Sequence, residues 1–210
     1  MRVLFWSVTA GQGHNSCARA SMAALAQRGA DCEMLDTIKY INELTGTVVD
    51  KGYVSLGKHI PKIWGTMYNT ALKTSVMGMA DKAPQFVSHK LRDYVQIYKP
   101  DAIICTHIFA SQLISTMRKK EMIRSVPVIG INTDFSLHPF WETVDQDYLV
   151  LACDKMHYGV IRRGIPREKI LPFGIPVHEK FDMDITKEEA RAELGLDNKM
   201  TLLLMGGSMG

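Results

Sequence analysis

Cysteines are few in this 210-residue chain, and none are paired at motif spacing: Cys17, Cys32, Cys105 and Cys153 lie far apart, with no C-x-x-C. That spacing argues against a metal cluster or a disulfide framework and for free, buried thiols in a reducing compartment. Long apolar runs are missing as well, so nothing approaches the ~20 residues that a bilayer-spanning helix needs. There is no secretory leader pattern, because Met1-Arg2 passes directly into Val3-Leu4-Phe5-Trp6 and a glycine turn. These absences predict a cytoplasmic protein that meets the cytoplasmic membrane only peripherally. A net charge of +3 is too small to point to nucleic acid. A charged fraction of 22% against 46% hydrophobic residues excludes general disorder.

What is present starts with a short apolar run, Val3 to Val8, that ends in Thr9-Ala10-Gly11-Gln12-Gly13. An alanine-rich helical pattern follows from about Asn15 to Arg28 and stops at Gly29, and Cys32 to Leu35 reads as a second strand. Strand, glycine turn, helix and strand make a βαβ unit, hence an α/β fold with a Rossmann-like parallel sheet and helices on both faces. Residues 39 to 99 are helical or irregular and interrupted by glycine and proline. A helix of about Ala83 to Tyr98 leads into the strand Asp101 to Cys105. A helix around Phe109 to Lys120, the strand Val126 to Ile131, the strand Tyr148 to Leu151 and a helix from Asp154 to Arg163 complete the alternation. Past Pro166 the composition turns linker-like, with Pro172, Gly174 and Pro176 spaced two apart. A charged helix, Lys187 to Leu194, then precedes the apolar run Met200 to Met205 and the glycine turn Gly206-Gly207-Ser208-Met209-Gly210. That last pair repeats the device at Gly11, so a domain boundary is expected near 175 to 198, with the start of a second Rossmann-like domain beyond it.

Five constellations carry chemistry. Glycines after a buried strand bring backbone N–H groups close to an oxygen-rich ligand at a helix N-terminus. The turn at Gly11 and Gly13 is neither a dinucleotide fingerprint, since Ser16 stands where the third glycine belongs, nor a Walker A loop. Its distinctive residue is His14, placed at the mouth of the sheet where a general base is useful; the plainer alternative is a helix-capping histidine beside a structural turn. The run Asn132 to Trp141 follows a strand and so lies on the carboxyl edge, where open α/β proteins place ligands. There Asp134 and His138 can orient each other or contact a hydroxyl-bearing substrate, and Phe140 with Trp141 offers an apolar wall, unless these aromatics merely plug the core. Thr106-His107 ends another strand on the same edge, and a lone histidine there is more often structural. The stretch Lys51 to Ala80 holds no acidic residue, and it interleaves Lys51, Lys58, Lys62 and Lys73 with Trp64, Tyr68 and several methionines. That mixture suits an anionic leaflet, where each Lys contributes about 1 kcal/mol, or else a helical insert packed on the domain. The terminal Gly206, Gly207, Ser208 and Gly210 can cradle a phosphate after a strand.

Ser7-x-Thr9-x-Gly11-x-Gly13-His14, Asn132-Thr133-Asp134 with His138-Pro-x-Trp141, Phe173-Gly174-Ile175-Pro176-Val177 with Phe181, and Gly-Gly-Ser-x-Gly occur in this order. Together they resemble the monogalactosyldiacylglycerol synthase and processive diacylglycerol glucosyltransferase family, which is similar in turn to the lipid-linked N-acetylglucosaminyltransferase of peptidoglycan synthesis. The resemblance implies a two-domain GT-B fold with an acceptor-binding N-terminal half that touches an anionic membrane surface. It implies an inverting transfer of hexose from a UDP-sugar co-substrate to a diacylglycerol-like lipid, with no bound cofactor or metal and no nucleic-acid partner. On this reading residues 1–175 are the acceptor domain, with 39–82 a membrane-facing insert carrying Lys58, Lys62, Trp64 and Tyr68. Residues 176–198 are the linker, and 199–210 open the nucleotide-sugar domain with Gly206, Gly207, Ser208 and Gly210 on the donor side. His14 and Asp134 are then the catalytic candidates, and Gly11, Gly13, His107, His138 and Trp141 the acceptor-binding ones. A chain lacking the second domain is expected not to turn over by itself. A polyprenyl-linked acceptor, or a non-catalytic membrane-binding module, remains the alternative.

Overall fold

The computed structural model describes residues 1–8, 12–37, 39, 40, 43, 85–123 and 126–206. Six strands form one sheet: β1 (Arg2–Ser7), β2 (Asp31–Asp36), β3 (Ala102–Cys105), β4 (Val128–Ile131), β5 (Tyr148–Val150) and β6 (Ile170–Leu171). Their order is β2-β1-β3-β4-β5-β6, and every neighbouring pair runs parallel. The described helices are α1 (Gln12–Ala26), α2 (Gln85–Tyr98), α3 (Ile108–Lys119), α4 (His157–Ile161) and α5 (Lys187–Glu193). This is the Rossmann-like α/β architecture expected from the strand–helix alternation.

Each strand of the inner sheet is apolar on both faces because helices cover both. On one face Val3 and Phe5 pack against Ala18 of α1, with Met22 and Leu25 beside it. On the other, Leu4, Trp6, Ile103, Cys105 and Val128 meet Leu91 and Val95 of α2 and Leu113, Ile114 and Met117 of α3. The small side chains of α1 let its axis lie close to the sheet, where Ala18 and Ala20 are both buried. The helix ends as Gly29 takes a φ of +80°, a conformation open to glycine, while the Ala30 N–H donates back to the Leu25 carbonyl.

The chain visits β2 on one side of β1 and then returns to lay β3 on the other side. The two connections therefore leave the carboxyl ends of β1 and β3 in opposite directions, which opens a crevice at that switch point. Gly130 of β4 is required by close packing beneath the same edge. A Cβ there would stand 2.5 Å from the Trp141 ring and against the Gln146 side chain.

Three expectations need correction. The helix after β1 starts at Gln12 rather than Asn15, so Gly13 lies inside its first turn and not in the loop before it. Ile170–Leu171, in the stretch read as linker-like, is a sixth strand paired with β5, too short to show any period. The strand expected over Met200 to Met205 does not form: residues 201–206 have no sheet partner and are exposed. An apolar run becomes a strand only where another strand accepts its backbone bonds.

Candidate functional site

The crevice is built on three element ends. From β1 comes Ser7, from β3 Thr106, and from the first turn of α1 His14 and Asn15. Ser7, Asn15 and Thr106 are buried polar residues. The Thr106 hydroxyl donates to Ser7 Oγ (3.0 Å), and Ser7 Oγ donates to Asn15 Oδ1 (2.6 Å). A buried hydroxyl left without partners costs about 1–3 kcal/mol, so this closed chain fixes the strand ends and the helix start relative to one another.

His14 sits above it. Its Nδ1 lies 2.9 Å from the Thr106 carbonyl oxygen and 2.9 Å from Thr133 Oγ1. A carbonyl oxygen can only accept, so Nδ1 carries the ring proton of the neutral imidazole and Nε2 keeps its lone pair. Burial holds the His14 pKa below the usual 6.5, outweighing the Thr106 carbonyl and the Asp134 carboxylate that pull it upward. The ring is therefore a neutral base at physiological pH.

His107 lies two residues past the end of β3 and caps α3, where its Nδ1 accepts the Phe109 N–H (3.1 Å). Its ring meets that of His14 edge-on, with centroids 4.5 Å apart. Burial, with the nearby His14 and His138 rings adding to it, drives the His107 pKa down to about 3. His107 stays neutral with its proton on Nε2. His138 repeats the capping device over the short helix Pro139–Glu142, with its Nδ1 accepting the Phe140 N–H (3.2 Å). Its pKa is also lowered, by burial first, with Asp134 opposing and Arg163 assisting.

The loop after β4 supplies Thr133, Asp134 and His138. Asn132 is buried and donates through Nδ2 to the carbonyls of Asp134 (2.7 Å) and Ser136 (3.2 Å), which curls the loop over the edge. Arg163 ties the far end, donating to the Leu137 carbonyl (2.8 Å) and to Glu142 (3.1 Å).

Of the residues singled out in the sequence, His14, His107, Asp134 and His138 come together at the switch point. Gly13 is exposed there, and a Cβ on it would meet nothing within 4 Å. Trp141 belongs elsewhere: it is 4% exposed and packs with Leu149, Leu151 and Val160, so it supports the edge from below instead of lining it. Gly206 is exposed beyond the sheet. Gly11, Gly207, Ser208 and Gly210, and the membrane candidates Lys58, Lys62, Trp64 and Tyr68, lie outside the described residues. Ser7, Asn15, Thr106 and Thr133 were missed as site residues. Thr106 acts through its backbone carbonyl, which no side-chain pattern announces, and Thr133 is brought to His14 only by the parallel order of β1, β3 and β4.

Among the described residues no three His, Cys, Asp or Glu side chains converge to hold a metal ion, and no helix is long and apolar enough to cross a membrane. All four cysteines are free, and burial pushes the thiols of Cys17 and Cys105 up to about 12.

The family model described as monogalactosyldiacylglycerol (MGDG) synthase matches residues 14–177. A processive diacylglycerol beta-glucosyltransferase of Bacillus cereus is 26% identical, over 100% of this chain and 54% of its own length. An uncharacterized glycosyltransferase of Bacillus subtilis, YkoN, is likewise 26% identical, over 99% of this chain and 54% of its own. The chain thus spans about half the length of the curated relatives it matches. Among solved structures, UDP-N-acetylglucosamine 2-epimerase from Rickettsia bellii aligns with a TM-score of 0.48 at 14% identity, covering 94% of this chain and 52% of its own. Anabaena HepE, in complex with UDP and glucose, aligns with a TM-score of 0.49 at 13% identity, covering 93% and 50%.

Proposed function

From its membership of the monogalactosyldiacylglycerol synthase family, to which this chain belongs, we propose that it is the acceptor half of a GT-B glycosyltransferase. That enzyme moves a hexose from a UDP-sugar to a diacylglycerol-type lipid. The observation that carries the reading is the fixed His14 ring, whose Nδ1 is engaged at 2.9 Å by the Thr106 carbonyl, leaving Nε2 as the free basic nitrogen. In the proposed reaction Nε2 takes the proton of the acceptor hydroxyl as its oxygen bonds to the anomeric carbon. The bond from that carbon to the phosphate oxygen breaks, and UDP departs with the electron pair. Attack opposite the leaving group inverts the anomeric centre. Asp134, which raises the affinity of His14 for a proton, stabilises the imidazolium that forms.

A neutral acceptor suits the described surroundings. His107 and His138 are held neutral, Asp134 brings a carboxyl group rather than a cation, and Arg163 is already engaged by Glu142. That set offers little to a diphosphate-linked acceptor and favours a plain hydroxyl. Contacts to the UDP-sugar are assigned to sequence matching the other half of the Bacillus relatives, so the 210-residue chain binds acceptor without turning over. The acid-free stretch Lys51 to Ala80 is assigned to an anionic, cytoplasm-facing membrane surface.

The test uses the active protein that contains this chain, with UDP-glucose or UDP-galactose and vesicles carrying diacylglycerol or a polyprenyl diphosphate-linked sugar. The expected product is a glycosyl diacylglycerol, formed faster on anionic vesicles and lost by ~10²–10⁴-fold in His14→Ala. Transfer to the polyprenyl acceptor alone, or no transfer to any lipid, overturns the assignment. Turnover by the 210-residue chain alone removes the half-enzyme part of it.

A further inference from the structure

A single hydrogen bond does not fix an imidazole. The bond from His14 Nδ1 to the Thr106 carbonyl leaves the ring free to swing about that one contact, and an exposed Asp134 carboxylate nearby rewards a flip that turns a ring N–H toward it. The second contact comes from Thr133, whose Oγ1 is also 2.9 Å from Nδ1. With the ring proton directed at the carbonyl, the hydroxyl oxygen shares it as a second acceptor, and the hydroxyl's own proton points away from the ring. The edge-on His107 ring closes a third side at 4.5 Å.

The two oxygens are held by independent structure. Thr106 directly follows β3 and is anchored by its N–H to the Trp6 carbonyl and by its buried hydroxyl to Ser7, which in turn holds Asn15. Thr133 follows β4 in the loop that Asn132 curls, and it is the immediate neighbour of Asp134. The Thr133–His14 contact therefore joins the helix that bears the base to the loop that bears Asp134 and His138.

We infer that Thr133 is a positioning residue: it locks His14 in the Nδ1–H tautomer with Nε2 facing the crevice, and it couples the base to the acceptor-side loop. The kinetic part rests on the reading of His14 as the base, whereas the tautomer part does not.

The test is read first without activity, by nitrogen-15 NMR of the histidine rings in the labelled chain at neutral pH. The parent is expected to show His14 protonated on Nδ1, while His107 and His138, whose Nδ1 atoms accept backbone N–H groups, show protons on Nε2 and serve as internal controls. Thr133→Val should move His14 to a mixture of tautomers with the two controls unchanged, and Thr133→Ser should restore the parent pattern. In the active protein Thr133→Val should lower kcat by up to about 10²-fold with KM little changed, the size expected when a reacting group is misplaced by roughly an ångström. Thr133→Ser should recover most of the loss. A parent His14 protonated on Nε2, or a Thr133→Val protein with parent tautomer and parent kcat, overturns the inference. If Thr133→Val fails to fold, Thr133→Ala, which also removes the hydroxyl, takes its place with the same two outcomes. If His14→Ala retains full activity while Thr133→Val still shifts the tautomer, the base assignment falls and the positioning role stands.

Discussion

The carboxyl edge of β1 and β3 and the segment beyond β6 invert the usual rule of apolar inside and polar outside, in opposite ways. At the edge Ser7, Asn15, Thr106 and Asn132 are buried polar groups. Beyond β6 Phe173, Phe181, Leu202, Leu203 and Leu204 stand more than two-thirds exposed. Burying polar groups costs free energy unless each finds a partner; here Ser7, Asn15 and Thr106 pair with one another, and Asn132 donates to the carbonyls of its own loop. The exposed apolar groups bury little against the described residues. The first region is therefore specified by the fold, while the second contributes little to the stability of the sheet domain.

The largest expected effect tests the packing under the edge. Gly130→Ala drives a methyl into the Trp141 ring and the Gln146 side chain, both buried. It should destabilise the domain by about 1–3 kcal/mol in urea unfolding. Unchanged stability would mean that Trp141 is loosely held and free to reach the crevice after all.

A second effect reads the buried histidines through pH. The folded-state pKa of His107 is depressed to about 3 against an ordinary 6.5, so between those values the unfolded chain binds the extra proton. Stability from this group is fully present above pH 6.5 and is lost as pH falls toward 3. Near pH 5 the loss is on the order of 2 kcal/mol relative to pH 7.5. The shifts of His14 and His138 have the same sign. Replacing His107 by Asn keeps a capping side chain and should flatten that slope. An equally steep acid limb in the variant would place its origin elsewhere.

The smallest effect belongs to the other region. Changing Leu202, Leu203 and Leu204 together to Ser should move the unfolding free energy by no more than about 0.5 kcal/mol per site, since the native domain does not bury them. A large loss of stability in the 210-residue chain would contradict their exposure and erase the contrast.

The same contrast marks where sequence reasoning reached. The inner strands and α1 were legible because burial on both faces writes continuous apolar runs and Gly29 punctuates the helix end. The two-residue β6 was not, since a pair of residues carries no period, and Met200 to Met205 misled because an apolar run says nothing about a partner strand. At the site, His14, Asp134 and His138 announced themselves by residue type beside strand ends. Trp141 looked like a ligand wall because aromatic content does not reveal which way a loop turns. His107 ranked low as a lone histidine, yet the adjacency of β1 and β3 sets it against His14. Thr106 and Thr133 were illegible, because one works through its backbone and the other through a contact spanning 119 positions.

The proposed role of His14 as a neutral, fixed general base is tested by the pH dependence of kcat/KM for sugar transfer. The active protein should lose rate as pH falls through an acid limb lying below 6.5, the direction in which burial shifts His14. His14→Gln should be slower by ~10²–10⁴-fold and lack that limb. A glutamine variant within a few-fold of the parent, or one that keeps the same limb, would rule out His14 as the base.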